Sequence, residues 1–234
     1  IDTLSEVLGD GGCAAVIRNT VASAQQTYLA LRSALPDTEI RLLHSRFLAP
    51  HRMSREADLV SRLGRSGDRP HRLIVVGTQV LEQSLDVDFD VMFSDIAPTD
   101  LLMQRVGRLH RHSRSNRPSR LSGARCFILG VDSTAAPPGF DRGSQAIYGN
   151  ASLLRSVATI FKDRDSPVTL RLPQDIPRLV REAYSQDIRL PESWREVFES
   201  TSAREMADRE QSLARAIAFV IEDPYKPSDL NGFI

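Results

Sequence analysis

Two hydrophobic rhythms alternate along the first 130 residues. Short apolar runs fall at 13–17, 73–76, 91–94 and 126–129, and a less uniform one at 39–43. Runs of this length and continuity predict strands buried on both faces. Amphipathic stretches lie between them. Residues 20–35 carry Val21, Ala24, Tyr28, Leu31 and Leu35 at helical spacing. Asn19 or Thr20 can cap that helix through a side-chain oxygen, and Pro36 with Asp37 ends it. Residues 50–63 predict a second helix whose buried side would hold Met53, Leu59, Val60 and Leu63. The glycine-containing loop 64–70 separates it from the next strand. Five strands with helices interleaved predict an α/β domain built on one parallel sheet with helices on both faces.

Beyond residue 131 the rhythm changes. Residues 132–143, with Pro137, Pro138, Gly139 and Gly143, read as a linker. A helix is expected at 144–161, a strand or extended segment at 166–172, and a short helix at 174–184. A long helix is expected at 191–221, anchored by Trp194, Val197 and Phe198 and continued by Leu213, Ile217 and Val220. Its middle, 199–212, is largely polar and suits either solvent or the surface of another domain. The chain therefore divides into a sheet domain over 1–131, a linker and small helical segment over 132–190, and a long helix with a tail over 191–234. The last two parts form a mostly helical C-terminal extension.

Charge alters this picture only locally. Thirty Lys+Arg balance thirty Asp+Glu, so the whole chain does not announce a nucleic-acid partner. Between Leu101 and Val131, however, there is no acidic residue, while seven arginines and two histidines occur. A block of one sign is expected to face phosphate or water. Cys13 and Cys126 each open an apolar run and are expected to be buried free thiols. No apolar run approaches the ~20 residues of a membrane helix. No secretory leader opens the chain, so a reducing cytoplasm is the expected setting. The chain reads as a piece of something longer.

Two segments carry candidate chemistry. The first is Gln104-Arg105-Val106-Gly107-Arg108-Leu109-His110-Arg111, which starts in a predicted helix and enters a basic loop. On a helix, Arg105, Arg108 and Arg111 can point together. A guanidinium fork suits the spread charge of a transferring phosphoryl group. The plain alternative is a solvated basic helix end that complements the helix dipole. The second segment is 76–88, at the C-terminal end of a predicted strand, where open parallel sheets place their ligands. Thr78 can offer a hydroxyl and a free N–H to a phosphate, and Asp86 can accept from a ribose or steer an arginine. The alternative is a capped turn with solvated acids. His110 and His112 are spaced like metal ligands but lack a nearby carboxylate or cysteine, so no metal site is expected.

Together these segments resemble the fifth and sixth motifs of superfamily 2 helicases, which would make residues 1–131 the second RecA-like domain. Residues 104–111 match the sixth motif, Q-R-x-G-R-x-x-R, in full. The resemblance implies that Arg108 and Arg111 reach the γ-phosphate of ATP, that Gln104 couples ATP to nucleic acid, and that Asp86 belongs to the nucleotide side. It also implies that Thr78, with Gln79 beside it, contacts the nucleic-acid backbone. The run T-Q-V-L-E-Q-S-L-D-V-D-F-D at 78–90, R-L-H-R-H at 108–112, I-R-N-T-V at 17–21 and H-S-R-F at 44–47 narrow the resemblance. They are similar to the CRISPR-associated helicase-nuclease of type I systems. That family implies Thr20 near the nucleic-acid backbone, although capping alone would also explain it. Ser45 and Arg46 are placed to touch nucleic acid, with packing as the alternative.

Three departures limit the resemblance. No G-x-x-x-x-G-K-[ST] phosphate loop, no D-E-x-H box and no paired His-Asp nuclease motif occurs in the 234 residues. The resemblance thus implies half of a motor. ATP with Mg2+ would be gripped mainly by a first RecA-like domain, and a nuclease domain, single-stranded DNA and a Cascade-type surveillance complex would be the partners. Another superfamily 2 helicase acting on DNA or RNA, or a non-catalytic helicase-like interaction module, are the alternatives.

Overall fold

The computed structural model describes residues 1–9, 11–82, 85–161 and 167–217. A short helix α1 (Asp2–Leu8), not anticipated from the pattern, precedes β1 (Gly12–Ile17). Then follow α2 (Val21–Ala34), β2 (Ile40–Leu43), α3 (Ala49–Leu63), β3 (Arg72–Gly77), β4 (Val91–Asp95), α4 (Thr99–Val106) and β5 (Arg125–Leu129). The five strands form one sheet in the order β2-β3-β1-β4-β5. Every pairing in it is parallel. This is the expected RecA-like α/β fold.

Strand alternation divides the core between the two faces. Cys13, Ala15 and Ile17 of β1 join Leu73 and Val75 of β3 against Leu59 and Leu63 of α3. On the other face, Ala14 and Val16 join Ile74 and Val76 against α1 and α2. Each face buries apolar side chains, which is why the strands read as unbroken runs and not as alternating ones. The α2 start is settled: Thr20 Oγ1 accepts from the Ser23 N–H at 3.0 Å, so Thr20 and not Asn19 is the cap. Pro50 lies in the first turn of α3, where its missing N–H costs nothing. The buried side of α3 is narrower than expected. Met53 is 64% and Val60 38% exposed, and only Leu59 and Leu63 reach the core.

The extension contains β6 (Val131–Asp132) and β7 (Gly139–Phe140), an antiparallel pair inside the predicted linker. The helix expected over 144–161 is two helices, α5 (Arg142–Tyr148) and α6 (Asn150–Ile160). They part at Gly149, whose φ of 78° no ordinary side chain favours. No strand forms at 167–172, and α7 (Ile176–Ala183) follows. The last long helix begins as a 3-10 turn at Glu192–Trp194 and continues as α8 (Arg195–Ile217). Trp194 is buried, as expected for an anchor, but α8 buries no residue of its own. Leu213 and Ile217 are 61% and 63% exposed, and Val220 lies outside the described residues. The extension packs onto the sheet domain. Leu153, Leu154, Leu179 and Trp194 share a core with Ile96 and Leu102. No described helix is long and apolar enough to cross a membrane.

Candidate nucleotide and nucleic-acid interface

In a parallel sheet all strands end at one edge. Gly77, the last residue of β3, is in register with both Leu43 and Ile17, the last residues of β2 and β1. The turns after these three neighbouring strands therefore emerge side by side. This brings together Thr20, Ser45, Arg46, Thr78 and Gln79, which the sequence spreads over sixty positions. Ser45 and Arg46 are exposed in the turn after β2, and Thr20 is half-buried. Thr78 is more enclosed than expected, at 2% exposure. Its N–H is not free but donates to the Leu43 carbonyl at 3.2 Å. Gly77 permits this closeness, because a Cβ there would stand 2.8 Å from the Leu43 carbonyl oxygen. Gln79 is also tied inward: its Nε2 donates to the Asn19 carbonyl at 2.9 Å and to the Tyr148 hydroxyl at 3.0 Å.

Behind this edge lies a polar network that the sequence reading missed. Arg105 is fully buried, and its five N–H groups have five acceptors. Nε donates to Glu82 Oε1 at 2.8 Å, and Nη1 to Ser94 Oγ and the Asp95 carbonyl, each at 2.9 Å. Nη2 donates to Asn19 Oδ1 at 3.0 Å and to the Tyr148 hydroxyl at 3.1 Å. Asn19 is itself 2% exposed and donates its N–H to Asp95 Oδ2 at 2.8 Å. Burial pushes the Glu82 carboxyl up, and the Arg105 charge pulls against it. Arg105 therefore does not share a face with Arg108 and Arg111. One signal was available: Arg105 falls three positions after Leu102 on the buried stripe of α4.

The helix stops before the remaining arginines. Gly107 caps α4, its N–H reaching the Met103 carbonyl at 2.9 Å. The chain then runs extended beside Phe89, exchanging the Phe89 N–H to the Arg108 carbonyl (2.9 Å) and the His110 N–H to the Phe89 carbonyl (3.0 Å). From here the arginines descend along the sheet toward the start of β4. They meet a matching row of acids. Arg111 Nε donates to Asp86 Oδ1 at 2.7 Å. Arg114 donates to Asp88 at 2.6 Å, and Arg117 to Asp88 at 2.8 Å and also to Asp90. Arg69 completes the cluster on both aspartates. The acid-free stretch thus has its counter-charges at 82–90. The expectation that it faces phosphate or water fails for Arg105, Arg114 and Arg117.

Arg108 is the exception. Its Nη2 donates to the Glu82 carbonyl at 2.7 Å, but among the described residues it meets no carboxylate, and its buried Nε finds no acceptor there. Burial, and then the neighbouring charge of Arg111, pulls its pKa down from the ordinary guanidinium value. Arg111 is 39% exposed at its side chain and pairs with an Asp86 that is 53% exposed. The hydrogen bond from Arg111 holds the Asp86 carboxyl below its usual range. Gln104 is exposed one turn earlier. Among the described residues no group of His, Cys, Asp or Glu could hold a metal ion. His110 instead reaches the Asp90 carbonyl, and His112 approaches Asp86 at 3.2 Å. Cys13 is fully buried and Cys126 partly so. Both thiols are free, and burial pushes each up to about 12, which leaves them unreactive.

Residues 10–114 match a family model described as CRISPR-associated nuclease/helicase Cas3, C-terminal. The CRISPR-associated nuclease/helicase Cas3 of Streptococcus thermophilus is 42% identical over 187 residues, covering 80% of this chain and 19% of that protein. The CRISPR-associated endonuclease/helicase Cas3 of Thermus thermophilus is 36% identical over 218 residues, covering 84% of this chain and 22% of its own length. Among solved structures, one described as a CRISPR-associated protein superposes with a TM-score of 0.81 at 44% identity over 91% of this chain and 24% of that one. T. fusca Cas3 with ATP gives 0.72 at 33% identity over 89% of this chain and 24% of that one. The chain spans about a fifth to a quarter of the length of these relatives.

Proposed function

We propose that the chain, whose residues 10–114 match the Cas3-like C-terminal family model, is the second motor half of an ATP-driven translocase on single-stranded DNA, serving CRISPR defence. One observation carries the reading. In an arginine run matched to acids or backbone carbonyls, Arg108 keeps one buried N–H with no acceptor among the described residues, and Arg111 stands beside it on an exposed, exchangeable partner. An anion arriving there would satisfy the first and could take the second from Asp86. The γ-phosphate of ATP fits this demand, since a guanidinium pair matches its spread charge. A first RecA-like domain would grip the rest of the ATP and its Mg2+. Arg108 and Arg111 would stabilise the transferring group, Asp86 would hold Arg111 in readiness, and Gln104 would relay the state of the nucleotide.

The nucleic-acid backbone would lie across the turns that carry Thr20, Ser45, Arg46, Thr78 and Gln79. Such contacts hold phosphates without reading bases, as a motor stepping along any sequence requires. A nuclease domain of the same protein and a Cascade-type surveillance complex would be the partners. A reducing cytoplasm would be the setting. A structure similar to the chain at 35% identity and a TM-score of 0.68 is described as a CRISPR RNA-guided surveillance complex, pre-nicking, which supports that placement.

The test is ATP hydrolysis measured with and without single-stranded DNA. This chain alone should turn over no ATP in either condition, and the complete protein should do so in a DNA-stimulated manner. Robust turnover by a clean preparation of the chain alone would sink the half-motor reading.

A further inference from the structure

The extension touches the sheet domain where the proposed nucleic-acid turns and the arginine motif come closest. Helix α5 lies across that edge. Near its start, Ser144 Oγ accepts from Asn19 Nδ2 at 2.7 Å. Gly143 sits so near Thr20 that a Cβ would stand 2.7 Å from Thr20 Cγ2. At its end, the Tyr148 hydroxyl accepts from Gln79 Nε2 at 3.0 Å and from Arg105 Nη2 at 3.1 Å. One phenol oxygen thus joins the turn after β3 to the arginine at the head of the basic run. From Arg105 the connection continues through the Glu82 carboxylate, and the Glu82 backbone carbonyl accepts from Arg108. Hydrogen bonds, joined at Glu82 through its own side chain, lead from Gln79 to Arg108, and Tyr148 is their link from outside the sheet domain.

We propose that Tyr148 is a positioning residue of the motor. Its hydroxyl holds the Thr78–Gln79 turn at a set distance from the phosphate-facing arginines, so that α5 takes part in coupling DNA to ATP. This rests on the motor reading above. The hydroxyl suits the task because one oxygen with two lone pairs meets two donors that cannot bond each other. Its removal takes one acceptor from buried Arg105 and one from Gln79 but leaves the rest of the network in place. Without it Gln79 keeps the Asn19 carbonyl, and Arg105 keeps its bonds to Glu82, Ser94, Asp95 and Asn19. A phenylalanine fills the same space.

The experiment compares Tyr148→Phe with wild type in the complete protein, reading DNA-stimulated ATP hydrolysis and DNA unwound per ATP consumed. The thermal midpoint of each variant is measured alongside. The midpoint should fall only slightly, because one buried Arg105 N–H loses its acceptor, and hydrolysis without DNA should change less than DNA-stimulated hydrolysis. The DNA concentration for half-maximal stimulation should rise about five-fold, the scale of one lost hydrogen bond, and unwinding per ATP should fall. Because Tyr148 acts through Gln79, the double variant with Gln79→Ala should be no worse than Gln79→Ala alone. A merely structural tyrosine would lower the midpoint markedly and add its effect to that of Gln79→Ala, which would overturn the proposal. So would wild-type coupling in Tyr148→Phe when Arg111→Ala abolishes turnover. If wild type itself shows no DNA-stimulated hydrolysis, the motor reading fails and takes this proposal with it.

Discussion

Arg108 and Arg111 differ sharply from Arg114 and Arg117, although all four belong to one run at three-residue spacing. Arg114 and Arg117 are 9% and 8% exposed and lie on Asp88, which is fully buried. Among the described residues Arg108 meets no carboxylate, and Arg111 has one that is half in water. The same residue type is structural in one place and available in the other. The acid opposite makes the difference. A carboxylate inside the fold uses up a guanidinium, because separating a buried pair leaves an uncompensated charge. An exposed carboxylate holds one loosely, because water and salt screen the attraction.

The comparison breaks most visibly at Arg111. In the complete protein, Arg111→Ala should lower kcat for DNA-stimulated ATP hydrolysis by ~10³-fold while leaving DNA affinity nearly intact. Normal turnover with lost DNA binding would instead make the outward arginines a DNA patch. The buried half of the run should answer through stability. Asp88→Asn leaves Arg69 and Arg117 with Asp90 as their carboxylate and Arg114 with only the Leu63 and Gly64 carbonyls, and should cost about 3 kcal/mol in denaturant unfolding of this chain. An unchanged midpoint would mean that the cluster contributes nothing to the fold.

Smaller effects sharpen the contrast. Thr78→Ala should change DNA affinity only several-fold, about 1 kcal/mol, and should lower unwinding per ATP more than it lowers hydrolysis. Equal losses in both, or none in either, would leave Thr78 a turn residue, a role its buried position and its bond to Leu43 already suit. The smallest effect concerns pH. Burial raises the Asp88 carboxyl, but hydrogen bonds from Arg117 and Arg114 outweigh it and hold the group below its ordinary value. A depressed folded pKa gives stability that is present above the unfolded value of about 3.9 and lost as pH falls through the folded one. The unfolding midpoint of the chain should therefore decline below about pH 4, and Asp88→Asn should flatten part of that decline.

Local pattern was enough for the sheet. The strands expected at 13–17, 73–76 and 126–129 appear as Gly12–Ile17, Arg72–Gly77 and Arg125–Leu129. A strand buried on both faces must be apolar throughout, and that constraint is written residue by residue. The RecA-like class and the arginine motif were legible for the same reason, since each is a short-range spacing. Helix burial was less so. Periodicity gives the direction of a face but not how far the neighbouring sheet extends beneath it, and Met53 and Val60 lie past the edge of that cover.

Charge partners belonged to the tertiary structure alone. Arg105 meets Asn19 across 86 positions and Tyr148 across 43, and Cys13 donates its N–H to Asp90 across 77. Those meetings follow from strand order, which places β1 between β3 and β4 although other elements separate them along the chain. No local spacing encodes that order. The sequence by itself therefore determined which arginines form a motif, because the motif is contiguous. Only the folded chain decided which of them are spoken for, because a buried charge is neutralised by whatever carboxylate the topology carries to it.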